Sequence, residues 1–209
     1  CSSGTDALLI ALMARGVEVG DYIMTTPFTY IATAEVINLL GAKPVFVDID
    51  SKTFNIDPAQ VESTIVNMHN KGLKIKGIIP VNLFGLPANY DEIYKIISNY
   101  DMFVLEDAAQ SFGAKYKNKV SGNLGDIGAT SFFPAKPLGC YGDGGAIFTN
   151  SEDDYDIMES IRIHGKGKDK YDCDRIGLNG RLDSIQAAIL LPKLKIYNQE
   201  IQLRQEVAN

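Results

Sequence analysis

Apolar residues in this chain fall into two alternating kinds of segment. Short runs dense in β-branched, aromatic and aliphatic residues alternate with longer stretches in which apolar and charged positions interleave. The short runs predict strands at 22–25, 44–48, 75–81, 103–105, 127–133 and 146–149. The run at 75–81 is continuously apolar apart from Lys76, as a strand buried on both faces should be. The interleaved stretches predict helices at 6–15, 32–40, 58–70, 90–100, 155–163 and from about 182 to the end, the last bent near Pro192. Ser3 or Thr5 is placed to cap the first, Gly41 to end the second, and Asp57 to cap the third, with Pro58 at its first position. Strand and helix alternate with no low-complexity linker and no repeat. That order predicts an α/β fold with a mostly parallel sheet flanked by helices. Ligands in such sheets bind at the carboxyl ends of the strands. Asp107 and Ser131 fall at or near such ends, and Lys136 lies in the loop that follows.

Composition narrows the class. Of 209 residues, 45% are hydrophobic and 22% charged, enough for one sizeable core. A net charge of −6 disfavours a nucleic-acid binder, which needs a basic face, but leaves room for a local anion pocket. Cys1, Cys140 and Cys173 form no CxxC and fit no disulfide framework, so a reduced, cytoplasmic setting is expected. The two histidines, His69 and His164, cannot build a His-rich metal site. No apolar stretch reaches the roughly 18 residues of a membrane span. The chain opens inside a loop at Cys1-Ser2-Ser3-Gly4-Thr5 and stops within a helical pattern at Asn209, so it reads as the middle of a longer protein.

Several residues could carry chemistry. Ser3-Gly4-Thr5-Asp6 precedes a helix, and a small-residue turn there offers free N–H groups and the positive dipole end to a phosphate. An ordinary N-cap reads the same way. Asp107 follows an apolar run, where an ionised carboxylate could pair with a pyridine nitrogen and keep it protonated. An acid at a helix start is the bland alternative. Gln110 would share a face with Asp107 if a helical turn begins there; Glu106 reads as structural. Lys136, between Pro134 and Pro137, could serve as a Schiff-base amine once it loses its proton, or be a solvated loop lysine. Ser131 could bind the same phosphate. Tyr30 could stack on a ring or be a core aromatic, and Asn179 could reach a phosphate or sit in a turn. The segment from Arg162 to Arg181, with His164, Lys166, Lys168, Lys170 and Arg175, could form a positive rim or a solvated loop.

Taken together, these pieces resemble the DegT/DnrJ/EryC1/StrS family of sugar aminotransferases. The resemblance is carried in order by Ser3-Gly4-Thr5-Asp6-Ala7-Leu8, Pro27-Phe28-Thr29-Tyr30-Ile31-Ala32-Thr33-Ala34-Glu35, the segment 41–50, Glu106-Asp107-Ala108-Ala109-Gln110, Ser131-Phe132-Phe133-Pro134-Ala135-Lys136, Gly142-Asp143-Gly144-Gly145-Ala146 and Asn179-Gly180-Arg181-Leu182-Asp183. It implies the large domain of a fold-type I enzyme dependent on pyridoxal 5′-phosphate (PLP), spanning residues 1–209. Lys136 matches the lysine that carries the cofactor, Asp107 the acid on the pyridine nitrogen and Gln110 the amide near the ring hydroxyl. Gly4, Thr5 and Ser131 match phosphate positions, and Tyr30 the stacking aromatic. Asn179 matches a residue that reaches the neighbouring subunit's cofactor, which implies a homodimer with shared sites. Family branches with histidine in place of the lysine are dehydratases, so Lys136 favours transamination between glutamate/2-oxoglutarate and a nucleotide-linked keto-sugar. The run from Phe132 to Gly145 is similar to the branch acting on UDP-2-acetamido-2-deoxy-3-oxo-glucuronate. Two departures stand out: the family's proteins run to roughly twice this length, within a two-domain size, and Gly180 stands where serine is common.

Overall fold

The computed structural model describes residues 1–169 and 171–208. In chain order the elements are α1 (Gly4–Ala14), β1 (Tyr22–Thr25), α2 (Ala32–Leu39), β2 (Lys43–Phe46), α3 (Pro58–Asn70), β3 (Ile75–Ile79), α4 (Tyr90–Ile97) and β4 (Phe103–Asp107). They continue with β5 (Lys115–Tyr116), β6 (Lys119–Val120), β7 (Ile127–Ser131), β8 (Gly145–Thr149), α5 (Glu152–Arg162) and α6 (Ser184–Ala208). Six strands make one sheet in the order β2-β1-β3-β4-β7-β8. Every pairing in it is parallel except β7 with β8, which is antiparallel.

The short apolar runs are explained by burial on both faces. Neighbouring residues of one strand enter opposite cores, as the period of two requires. Ile23, Ile79 and Leu105 pack with α1, α2 and α5 on one face. Met24, Ile78 and Val104 pack with α3 and α4 on the other. The result is the three-layer α/β/α arrangement expected from the element order. A third cluster joins α6, through Leu190 and Tyr197, to Phe132, Leu138 and Cys140 in the segment between β7 and β8.

Caps fall where the sequence puts them for α1 and α3. Ser3 accepts from Asp6 N–H at 3.0 Å, and Asp57 accepts from Ala59 N–H at 2.9 Å. Two differences have local causes. Helix α5 starts at Glu152, before the expected 155, because Ser151 caps it and the acidic Glu152-Asp153-Asp154 turn favours the positive end of the dipole without contributing apolar period. The β5–β6 hairpin is not expected from the sequence; its strands are two residues each, too short to show alternation. Helix α6 begins at Ser184, two residues later than expected, and continues through Pro192.

The carboxyl end of β4 is where the sheet's alternation matters most. Glu106 has the parity of Val104 and turns toward the α3/α4 side; Asp107 has the parity of Leu105 and turns toward α1 and α2. Glu106 is fully buried. Its carboxylate accepts from Asn82 Nδ2 (2.7 Å), Ser121 Oγ (2.7 Å), Gly122 N–H (2.8 Å) and Leu124 N–H (2.8 Å). Burial pushes its pKa up, and the hydrogen bonds from Gly122, Ser121 and Leu124 pull against that. Asn82 in turn donates its backbone N–H to Asp107 O at 3.0 Å and accepts from Ala88 N–H and Tyr90 Oη, each at 3.0 Å. Ser121 also meets Ser111 Oγ at 2.5 Å. One carboxylate therefore ties together the loops after β3, β4 and β6. Replacing it leaves several buried donors unmet, so Glu106→Ala should lower stability by about 3–5 kcal/mol, read as a fall in the urea midpoint.

Candidate functional site

A cavity of about 660 Å³ opens at the carboxyl ends of β4 and β7. Its wall includes Gly4, Thr5, Tyr30, Asp107, Gln110, Ser131 and Lys136, drawn from four separate stretches of the chain. A larger cavity, about 890 Å³, lies between β8, α5 and α6, and none of the expected site residues lines it. The convergence of chemistry makes the smaller cavity the candidate site.

The amino end of α1 forms one wall. Ser3 caps it by taking Asp6 N–H, and the first N–H groups of a helix have no intrahelical acceptor. A Cβ on Gly4 would lie 2.6 Å from Ser131 Cβ, so only glycine lets the helix start close against the end of β7. Backbone N–H groups, the helix dipole and the hydroxyls of Thr5 and Ser131 thus gather at one place on the wall, where an anion would be held.

Asp107 closes the opposite part. It is 5% exposed. Its Oδ2 accepts from Thr33 Oγ1 at 2.8 Å and its Oδ1 from Ala109 N–H at 3.1 Å. Burial pushes the carboxyl above its usual range; the Thr33 and Ala109 hydrogen bonds and the nearby Lys136 ammonium pull it back. A buried carboxylate still raised after these contacts is short of a cation. Lys136 is half-buried, in the turn after β7, with its backbone N–H on Phe133 O at 2.8 Å. It is the one lysine or arginine on the cavity wall among the described residues.

Gln110 reaches the wall by a different route from the one expected. Residues 109–113 are turns, not a helix. Gln110 Oε1 accepts from Phe84 N–H at 2.8 Å, which leaves the Nε2 amide as the group able to donate into the cavity. Phe84 sits at φ 55°, a left-handed conformation costly for a side chain of this size, and the Gln110 bond holds it there. Tyr30 is 68% exposed at the cavity wall, so it is not a core aromatic. Asn179 does not line this chain's cavity; it is exposed and bridges to Ile163. The segment from Arg162 to Arg181 also stays off the wall, and Lys170 lies outside the described residues. Thr33, Phe84 and Asp143 are on the wall without a sequence signal for chemistry; the Thr33–Asp107 bond joins residues 74 apart.

This set fits PLP. The cofactor's pyridine nitrogen would supply a cation for Asp107, its ring hydroxyl an acceptor for Gln110 Nε2, its phosphate an anion for the Gly4–Ser131 corner, and its aldehyde a partner for Lys136. The model of the DegT/DnrJ/EryC1/StrS aminotransferase family matches residues 1–209. The chain belongs to this family. Among members, it is 55% identical over 208 residues to the UDP-2-acetamido-2-deoxy-3-oxo-D-glucuronate aminotransferase of Pseudomonas aeruginosa, covering 100% of this chain and 56% of that protein. It is 51% identical over 193 residues to a Pleiotropic regulatory protein of Geobacillus stearothermophilus, covering 92% and 50%. The chain thus spans about half the length of these DegT/DnrJ/EryC1/StrS relatives. A DegT DnrJ EryC1 StrS aminotransferase crystal structure from Brucella abortus superposes with a TM-score of 0.98 at 51% identity, covering 100% and 56%. NtdA of Bacillus subtilis, solved with bound cofactor PMP, superposes at 0.84 and 34% identity, covering 94% and 43%.

Two outcomes test the site. Without cofactor, Asp107→Asn should stabilise the protein at pH 7 by about 0.5–2 kcal/mol, because it removes a buried charge that Thr33, Ala109 and Lys136 offset only in part. The raised carboxyl gives the sign: wild type loses stability as pH rises through its folded pKa, so the gain should vanish below the ordinary value of 3.8. Thermal melts across pH measure it. Gly4→Ala should weaken PLP binding about tenfold by pushing Ser131 away, seen in a fluorescence titration.

Proposed function

We propose that the protein containing this chain is a PLP-dependent aminotransferase that converts a nucleotide-linked keto-sugar to an amino-sugar, with glutamate as amino donor. The observation that carries the reading is the meeting of a cation-deficient buried carboxylate, a half-buried amine, a donor amide and a helix amino end in one cavity. The Pseudomonas relative's name supports UDP-2-acetamido-2-deoxy-3-oxo-glucuronate as the candidate substrate; a place in surface-polysaccharide assembly such as lipopolysaccharide belongs to the same proposal, and a Bacillus subtilis relative named for spore coat polysaccharide biosynthesis supports the broader class. In this reading residues 1–209 are the cofactor-binding large domain. The exposed Asn179 belongs to a homodimer in which it reaches the neighbouring subunit's cofactor. The free cysteines suit a cytoplasmic enzyme, and no described helix is long and apolar enough to cross a membrane.

PLP, when bound, supplies an electron sink for the electron pair left on carbon when a C–H proton is removed. The chain's residues do the rest. Asp107 holds the proton on the pyridine nitrogen by charge pairing. Gln110 Nε2 donates to the ring hydroxyl, while Gly4, Thr5 and Ser131 anchor the phosphate and Tyr30 covers the ring face. Lys136, as a neutral amine, would hold the cofactor through its aldehyde group, one water leaving as that link forms. Freed by the amino donor, the Lys136 amine would be placed to take the proton from the donor's α-carbon as base and return it as acid. One water would be consumed in releasing 2-oxoglutarate, and the same amine would serve the reverse proton transfers when the keto-sugar is aminated.

A dehydratase on the same fold is disfavoured by Lys136 itself. A non-catalytic sensor has the Geobacillus relative's name in its favour, but needs neither an amine at Lys136 nor a carboxylate at Asp107. Lys136→Ala in the full-length protein should abolish the visible absorption band of the bound cofactor and lower turnover by at least about 10³-fold. Amination of UDP- and dTDP-linked keto-sugars, assayed with and without glutamate, is the decisive measurement. Unchanged absorbance and turnover in the variant, or product formed without an amino donor, would sink the assignment.

A further inference from the structure

We propose that Thr33, backed by Thr29, is a positioning residue for Asp107: two hydroxyls in series hold the carboxylate ionised and aimed into the cavity while Lys136 is uncharged. The inference rests on the PLP reading of this site. Thr33 is 1% exposed, and its Oγ1 donates to Asp107 Oδ2 at 2.8 Å. A hydroxyl has a single proton. With that proton given to Asp107, the 2.9 Å contact between Thr33 Oγ1 and Thr29 Oγ1 must be donated by Thr29. The direction is therefore set: Thr29 to Thr33 to Asp107, each bond polarising the next. Thr29 and Thr33 both line the cavity, so the relay runs along its wall.

The placement of Thr33 has no other evident purpose. It is the second residue of α2, past the N-cap position from which a threonine hydroxyl caps. The cap position is instead Ile31, which makes no side-chain cap bond, and Thr33 N–H is already taken by Tyr30 O at 3.2 Å. The hydroxyl is thus left to Asp107. Ala109 N–H holds the other carboxylate oxygen at 3.1 Å, so both oxygens are pinned and the side-chain torsion with them.

Lys136 explains why the relay is needed. As an ammonium it favours the charged form of Asp107. As a nucleophile or base it must be neutral, and the help it gives is then absent. Of the contacts that lower the Asp107 pKa against burial, the Thr33 hydrogen bond is the largest. A hydroxyl suits the role because it donates without itself ionising near neutral pH and without competing for the cofactor's charge.

The test uses the full-length protein loaded with PLP. Thr33→Val, nearly isosteric, should weaken PLP affinity about tenfold, the worth of one hydrogen bond to a charged group. It should also lower kcat about tenfold while leaving KM for glutamate within about twofold, since the amino donor is not touched. Thr33→Ser should restore both, and Thr29→Val should give a smaller loss of about twofold through the weakened second bond. Wild-type affinity and kcat in a folded Thr33→Val protein would overturn the proposal. So would a Thr33→Ser variant as impaired as Thr33→Val, which would assign the effect to methyl packing. Should Thr33→Val fail to fold, the serine and Thr29→Val arms decide the matter by the same readings. If wild type itself binds no PLP, the functional reading falls and this inference with it, whereas binding in wild type with no effect of the variants sinks the relay alone.

Discussion

Two adjacent carboxylates at the end of β4 govern this structure, and the pleat of the strand separates their roles. Glu106 and Asp107 emerge on opposite faces because successive side chains alternate. Glu106 enters a layer rich in donors and is saturated by Asn82, Ser121, Gly122 and Leu124. Asp107 enters the cavity with only Thr33 and Ala109 as hydrogen-bond donors at its carboxylate among the described residues. One group is satisfied by its own protein and braces it; the other has fewer donors and faces the cavity. The same chemical group serves structure on one face and function on the other because its surroundings differ.

The bracing reaches the site through the backbone. Glu106 fixes Asn82, and Asn82 N–H fixes the Asp107 carbonyl at 3.0 Å. The loop that begins at Asn82 carries Phe84, whose strained conformation is tied to the Gln110 side chain. Local strain of this kind persists only when the surroundings over-determine it, and the Glu106 network provides that constraint. Buried polar networks are stabilising only when complete; here the complete one lies beneath the incomplete one, so the site can lack a counter-charge without loosening.

The opposite wall works by close approach. Gly4 brings the start of α1 against Ser131, so an anion there meets backbone N–H groups rather than a fixed cation. Lys136 is the one lysine or arginine on the wall among the described residues. In the proposed reading the dipolar corner at Gly4 would take the phosphate and leave this amine for proton transfer.

Much of this was legible in the chain. Apolar runs and interleaved stretches located the six strands of the sheet and the six helices, since burial on two faces or one stripe leaves a periodic trace. Ser3 and Asp57 marked helix starts, and the motifs around Asp107, Gln110, Ser131 and Lys136 picked out residues that line one cavity. The acidic start of α5 and the two-residue strands of the β5–β6 hairpin left no trace, being too polar or too short for a period. The turn that aims Gln110, the left-handed Phe84, the Thr33–Asp107 bond and the opposite fates of Glu106 and Asp107 were decided only by tertiary structure. Each depends on a contact between residues far apart in the chain, and no local pattern of apolar and polar positions encodes which distant donor a buried carboxylate will meet.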